Sequence, residues 1–223
     1  MSAILGYFTD VSVKLRFVRR LSQLWVGLGL FGASLALMVD AKLGLGPWDV
    51  LHQGIARIVG VQIGWVVVVV SIIVLLAWIP LRQRPGFGTV SNALLVGLAV
   101  NGTLDVLPTP GQLAARVGYL CAGVILNAAA TGLYIGAGFG PGPRDGLMTG
   151  LARRGHSIRS VRTSIEATAA LVGLILGGSI GLGTVVYAVA IGPLVQVFLP
   201  RDAVADHALA TPATSSEPKA VLT

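Results

Sequence analysis

Residues 41–57 read AKLGLGPWDVLHQGIAR, and residues 137–153 read AGFGPGPRDGLMTGLAR. At an offset of 96 the pairs Ala41/Ala137, Gly44/Gly140, Gly46/Gly142, Pro47/Pro143, Asp49/Asp145, Leu51/Leu147, Gly54/Gly150, Ala56/Ala152 and Arg57/Arg153 are identical, nine of seventeen. Chance in so Gly- and Ala-rich a chain gives roughly one or two. The echo resumes at an offset of 95, where GFGTV at 86–90 answers GLGTV at 181–185, Gly97 answers Gly192 and Asn101 answers Gln196. The pattern is an internal duplication, and the fold is read outward from it.

The medium comes first. The chain has 223 residues, 54% hydrophobic and only 11% charged, with a mean hydropathy of +0.83. An average soluble domain is about one quarter charged, so this chain calls for a bilayer as its solvent. A net charge of +7 invites a nucleic-acid reading. The basic residues, however, sit in short clusters between apolar runs, with no aromatic-interleaved platform, and nucleic acid is excluded as a partner. Cys121 is the single cysteine, which rules out an internal disulfide and a cysteine-based metal site. No metal or other cofactor is expected.

A spanning helix needs about 20 mainly apolar residues. Six stretches qualify: residues 21–39, 61–79, 86–107, 117–137, 163–180 and 182–200. Residues 1–20 form a basic N-terminal segment that abuts the first span as a signal anchor does, without a cleavage site. The polar Ala/Thr/Ser/Pro-rich stretch 201–223 reads as a disordered tail. With the N-terminus inside, thirteen basic residues (Lys14, Arg16, Arg19, Arg20, Arg82, Arg84, Arg144, Arg153, Arg154, Arg159, Arg162, Arg201, Lys219) are cytoplasmic, against Lys42, Arg57 and Arg116 outside. That asymmetry obeys the positive-inside rule and makes both termini cytoplasmic. Trp25 and Trp78 then fall near inner helix ends and Trp48 and Trp65 near the outer side, as an aromatic belt requires.

Residues 47–59 are too short and too polar for a further crossing. Thirteen helical residues reach about 20 Å against a hydrocarbon core of about 30 Å, and Asp49, His52, Gln53 and Arg57 are costly in lipid. Trp48, Leu51, Ile55 and Ile58 mark one apolar stripe, so the segment reads as a short amphipathic helix, interfacial or re-entrant. Each copy of the duplication then holds three spans, and an odd number turns the second copy upside down. The expected fold is all-α, a polytopic membrane protein of six transmembrane helices. They form two inverted-topology three-helix repeats, 21–107 and 117–200, each with a short helix after its GxGPxD turn. Inverted repeats recur in secondary transporters, whose sites lie at the repeat interface beside broken helices.

Within the motif, Gly46-Pro47 and Gly142-Pro143 read as helix starts, because proline at the first helical position gives up an N–H that is unpaired there anyway. Asp49 and Asp145 follow where first-turn amides and the helix dipole favour an anion. Two readings stand: structural first-turn carboxylates, which is the simpler, or ligands and gates facing a central pathway. Arg57 and Arg153 read as cations complementing helix C-termini, with Gly60 and Gly155 as terminators; an ion pair to a motif aspartate, or an anion-binding role, is the rival. Glu166 stands four residues after Arg162, an i,i+4 pair or a relay. Asn101 and Gln196 are either hydrogen-bonding glue between helices or pathway lining. No Ser/His/Asp or His/Glu metal spacing occurs, and the chain is not expected to be an enzyme.

The stretch from Gly29 through GPWDVLHQG to IPLRQRPGFGTVSNALLVG resembles the YczE branch of the YczE/YyaS/YitT family of bacterial membrane proteins. GPGPRDGLMTGL and RSVRTSIE are similar to that family's second half. The resemblance covers roughly residues 20–200 and implies a bacterial inner-membrane protein of several helices, with no substrate to carry over. Two functions remain: a transporter of an unknown small solute or ion, with the lipid bilayer as its setting, or a non-transporting structural or accessory protein supporting a partner complex. A six-span pathway is small, which leaves a homodimer open beside a monomer.

Overall fold

The computed structural model describes the backbone of residues 2–199 and the side chains of residues 15–199; the tail at 201–223, expected to be disordered, lies outside the described residues. Among the described residues eight helices follow one another: α1 (Ser2–Ala41), α2 (Pro47–Val59), α3 (Ile63–Ala77), α4 (Phe87–Val106), α5 (Leu113–Gly136), α6 (Pro143–Ala152), α7 (Ile158–Ile175) and α8 (Leu182–Phe198). No strand occurs among the described residues. An all-helical fold is what lipid enforces, since a helix satisfies its own backbone groups.

Six spans were expected. Among the described residues three helices are long and apolar enough to cross a membrane: Leu15–Ala41 of α1, α4 and α5. A fourth crossing exists if α2 and α3, bent by 114° at their junction, count as one broken span. The difference lies in the apolar runs at 61–79, 163–180 and 182–200, of which residues 61–62, 78–79, 176–180 and 199 are not helix. Helix α3 has 15 residues and α8 has 17, and α7 reaches 18 only with Arg159, Arg162 and Glu166 in its first half.

The bundle is built on α1 and α5, which pack antiparallel. Arg20 Nε donates to Ala137 O at 2.8 Å at one end, and Arg116 Nε to Ala41 O at 2.7 Å at the other. Each guanidinium thereby meets the unsatisfied C-terminal carbonyls of the opposite helix. Arg20 and Arg116 are themselves 96 positions apart, a matching pair that the sequence reading passed over. Helix α4 packs on α1 and α8 on α5, while α2 leans on α7 and α6 on α3. Leu24, Leu28, Leu35, Met38 and Val100 form the centre of the main apolar cluster. Large apolar side chains on the outer faces, among them Ile73, Leu98, Ile125 and Leu171, are exposed, as a lipid-facing surface needs.

The turn before each short helix is clamped in the same way. Gly44 and Gly140 take φ of +114° and +113°, a left-handed conformation open to glycine at little cost. A Cβ on Gly44 would come within 2.6 Å of Gly181 N and 2.7 Å of Thr184 Oγ1, and one on Gly140 within 2.9 Å of Thr89 Oγ1. Gly183 N donates to Leu43 O at 2.7 Å, and Gly88 N to Phe139 O at 2.9 Å. Each turn is thus pinned to the first turn of the last helix of the other half of the chain.

Two tryptophans correct the belt expectation. Trp25 and Trp65 are exposed, but Trp48 and Trp78 are buried. The Trp78 Nε1 donates to Pro143 O at 3.0 Å, and its ring covers Gly146. Their N–H-bearing rings fill the interface between halves and are covered by protein.

Candidate functional site

The two Gly-Pro helix starts adopt nearly the same backbone. Gly46 has φ −62°, ψ 156° and Gly142 φ −62°, ψ 159°, with Pro47 and Pro143 opening α2 and α6. Their extended conformation is the usual one for the residue before a helix. The two starts flank a cavity of about 370 Å³. Its walls include Phe31 of α1, Ser71 of α3, Asn92 of α4, Asn127 and Tyr134 of α5, Arg162 and Glu166 of α7, and Tyr187 and Gln196 of α8. Trp48 of α2 and Gly142, Pro143, Arg144 and Asp145 of α6 complete it.

The two motif carboxylates have different surroundings. Asp49 is buried, 6% exposed. Its Oδ1 accepts from Arg144 Nη2 at 3.3 Å and lies 3.4 Å from His52 Nδ1. The Arg144 guanidinium also stands over the Trp48 ring, 5.2 Å from its centroid, a cation–π contact. Asp145 is exposed and accepts a hydrogen bond from the Tyr134 hydroxyl at 3.1 Å. Across the cavity, Arg162 Nε donates to Glu166 Oε1 at 2.9 Å. Tyr187 donates to Asn127 Oδ1 at 3.3 Å, and Asn127 Nδ2 to Ser34 Oγ at 2.9 Å. Trp48 Nε1 and His52 Nε2 are buried without a partner.

Helix α2 is amphipathic as its stripe predicts, but its polar side faces inward. Asp49, His52 and Gly54 are buried while Ile58 is exposed. Of the stripe only Ile58 is exposed, Trp48 being buried and Leu51 and Ile55 half-buried, while the costly Asp49 and His52 turn toward protein. The tight seating of α2 on α7 rests on glycines: a Cβ on Gly54 would come within 2.8 Å of Leu176 Cβ, and one on Gly173 within 2.5 Å of Val50 C.

The residues singled out from sequence separate accordingly. Asp145, Gly142, Pro143, Glu166 and Gln196 line the cavity, whereas Gly46, Pro47 and Asp49 are not in its lining, to which α2 gives Trp48. Arg57 and Arg153 close the far ends of the short helices and do not reach it. Arg57 donates to Gly177 O and, at 3.3 Å, to Ser179 Oγ, tying α2 to the end of α7. Arg153 is the C-cap of α6, and its neighbour Arg154 makes the matching tie, donating to Pro80 O at 2.7 Å beyond α3. Gly60 and Gly155 terminate their helices with φ of +75° and +95°. Asn101 is glue: its Oδ1 accepts from Gly64 N at 2.8 Å where α3 and α4 cross. The sequence reading did not single out Arg144, Trp48, Tyr134 and Tyr187 as site residues. Its available signal was position: Trp48 and Arg144 share the place just before the motif aspartate. Among the described residues no group of three or more His, Cys, Asp or Glu is placed to hold a metal.

Comparison with known proteins gives the chain relatives along most of its length. It is similar to an uncharacterized protein of Haemophilus influenzae, 41% identical over 182 residues, covering 81% of this chain and 84% of the relative. It is 29% identical over 192 residues to the uncharacterized membrane protein YczE of Bacillus subtilis, covering 85% and 89% of the two chains. With YyaS of the same organism it shares 27% over 182 residues, covering 78% and 90%. No solved structure matches. The signature of DUF6198, a family of unknown function, matches residues 18–200, and the chain belongs to that family of YczE- and YyaS-like proteins.

Proposed function

We propose that the chain is an integral inner-membrane transporter of a small solute or ion, not an enzyme, built from two inverted repeats of three spans each. In this reading α1, α3, α4, α5, α7 and α8 cross the bilayer, with α2 and α6 as re-entrant helices and both termini cytoplasmic. One observation carries it: two Gly-Pro-Xaa-Asp helix starts, from halves whose leading helices run antiparallel, flank one polar cavity. Polar groups are expensive inside a bilayer and are kept where they line a water-filled path or bind a solute. The excess of Lys and Arg on the segments assigned to the cytoplasm supports the orientation.

The accessory reading draws on a different observation. Asp49 has its charge met within the chain by Arg144, as a purely structural carboxylate does. Proteoliposome electrometry separates the two. Protein-containing vesicles challenged with steps of Na⁺, K⁺, H⁺, alkylammonium and carboxylate solutes give a transient current above protein-free vesicles for at least one of them if the chain transports. Silence for every charged solute, together with no uptake of neutral ones, favours the accessory role.

A further inference from the structure

The two aspartates of the paired motif differ in what answers their charge. Asp49 is met at 3.3 Å by Arg144, which comes from the other half of the chain and holds the position directly before Asp145. The counterpart of Arg144 at offset 96 is Trp48. A reciprocal arrangement would put the residue at position 48 against Asp145, and that residue is an uncharged aromatic ring. Among the described residues no basic group forms an ion pair with Asp145; the Tyr134 hydroxyl bonds it at 3.1 Å. The other charges on the cavity wall are matched: Arg144 by Asp49, and Arg162 by Glu166 at 2.9 Å. Among the described residues Asp145 is the wall charge with no ion-pair partner of its own, and Arg162, already bonded to Glu166, acts on it only through space.

The remaining wall fits the same sign. Trp48, Tyr134, Tyr187 and Phe31 bring four aromatic rings to the cavity, and ring faces attract cations, organic ammonium groups above all. The chain contains its own instance of this recognition, since the Arg144 guanidinium is held between the Asp49 carboxylate and the Trp48 face. A volume of about 370 Å³ lies in the range of small-molecule sites. A bare divalent ion wants six or more oxygen ligands, which these rings do not supply.

We propose that the cavity binds a small organic cation, a protonated or quaternary amine, with Asp145 as counter-charge and the Trp48, Tyr134 and Tyr187 rings as walls. This rests on the cavity being the solute site of the proposed transporter. Choline serves as the probe, with 3,3-dimethylbutan-1-ol as its neutral isostere and 3,3-dimethylbutanoate as the anionic one. Binding is read by calorimetry on the full chain in nanodiscs. The expected result is saturable binding of choline, none of either isostere, and a loss of about tenfold or more in Asp145→Asn, the size of one lost charge-assisted contact. Asp145→Glu restores binding, and Asp145→Asn retains the wild-type melting temperature because Asp145 is exposed. Equal binding of the neutral isostere, preference for the anion, or choline binding unchanged in Asp145→Asn overturns the proposal. Should Asp145→Asn fail to fold, the ranking of the three probes on the wild-type chain decides alone. Choline binding with no flux of any charged or neutral solute tested would leave the cation site standing and remove the transport reading. Flux of anions independent of Asp145 would do the reverse.

Discussion

Asp49 and Asp145 occupy the same motif position, yet their substitution should have unlike costs. Arg144→Met strands the Asp49 carboxylate, whose side chain is 8% exposed, and leaving a buried charge uncompensated costs about 3–5 kcal/mol. Asp49→Asn strands Arg144 instead, whose side chain is 25% exposed on the cavity. Water reaches that guanidinium and Trp48 still faces it, so the cost is smaller, about 1–2 kcal/mol. In the double variant neither orphan remains, and its cost falls short of the sum of the single ones by about 1–3 kcal/mol. Asp145→Asn removes an exposed carboxylate and should cost under about 0.5 kcal/mol, as most surface changes do. Reversible SDS titration in mixed micelles, followed by circular dichroism at the helical band, measures all four. The reasoning is refuted if Asp145→Asn destabilises as much as Arg144→Met. It is equally refuted if the Asp49 and Arg144 changes add within about 0.5 kcal/mol.

Three further outcomes follow from packing. Gly173→Val should drive α7 off α2, because a Cβ there already meets Val50 C at 2.5 Å; a loss of about 1–3 kcal/mol is expected in the same titration. Gly192→Val should be nearly silent, since a Cβ at that cavity-wall position meets nothing within 4 Å. Trp78→Phe leaves the buried Pro143 carbonyl without its donor and should cost about 1–3 kcal/mol, visible as a lowered melting temperature with α6 more open to protease.

How much of this was legible in the sequence depends on how local each signal is. Gly-Pro-Xaa-Asp marks a helix start by backbone chemistry confined to four residues, and α2 and α6 begin at Pro47 and Pro143 as read. The i,i+4 spacing of Arg162 and Glu166 was equally local, and the pair forms. Span length was less legible. Apolar composition runs past helix ends into loops, so residues 163–180 read as one run although α7 begins at Ile158 and stops at Ile175. Long-range pairing was not legible from residue type at all. Arg144 reads as another cytoplasmic arginine until the fold brings it to Asp49, 95 residues away in sequence. The duplication held one unused clue. Arg20 and Arg116 stand at the same offset as the motif and cap each other's helices, and an antiparallel α1/α5 pair could have been inferred from them. The apolar stripe of α2 was visible as a stripe, but that Trp48 at one end is buried and Ile58 at the other exposed is a property of the assembled bundle.

The most direct test of the inverted architecture is the sidedness of two matched loop residues. Val61 follows α2 and Ser157 follows α6, 96 positions apart, and both are exposed. With the exposed Cys121 changed to Ser, single cysteines at these positions are probed with a membrane-impermeant maleimide in right-side-out and inverted membrane vesicles. The account predicts that Val61→Cys labels only from outside and Ser157→Cys only from the cytoplasmic side. Labelling of both from one and the same side would contradict it.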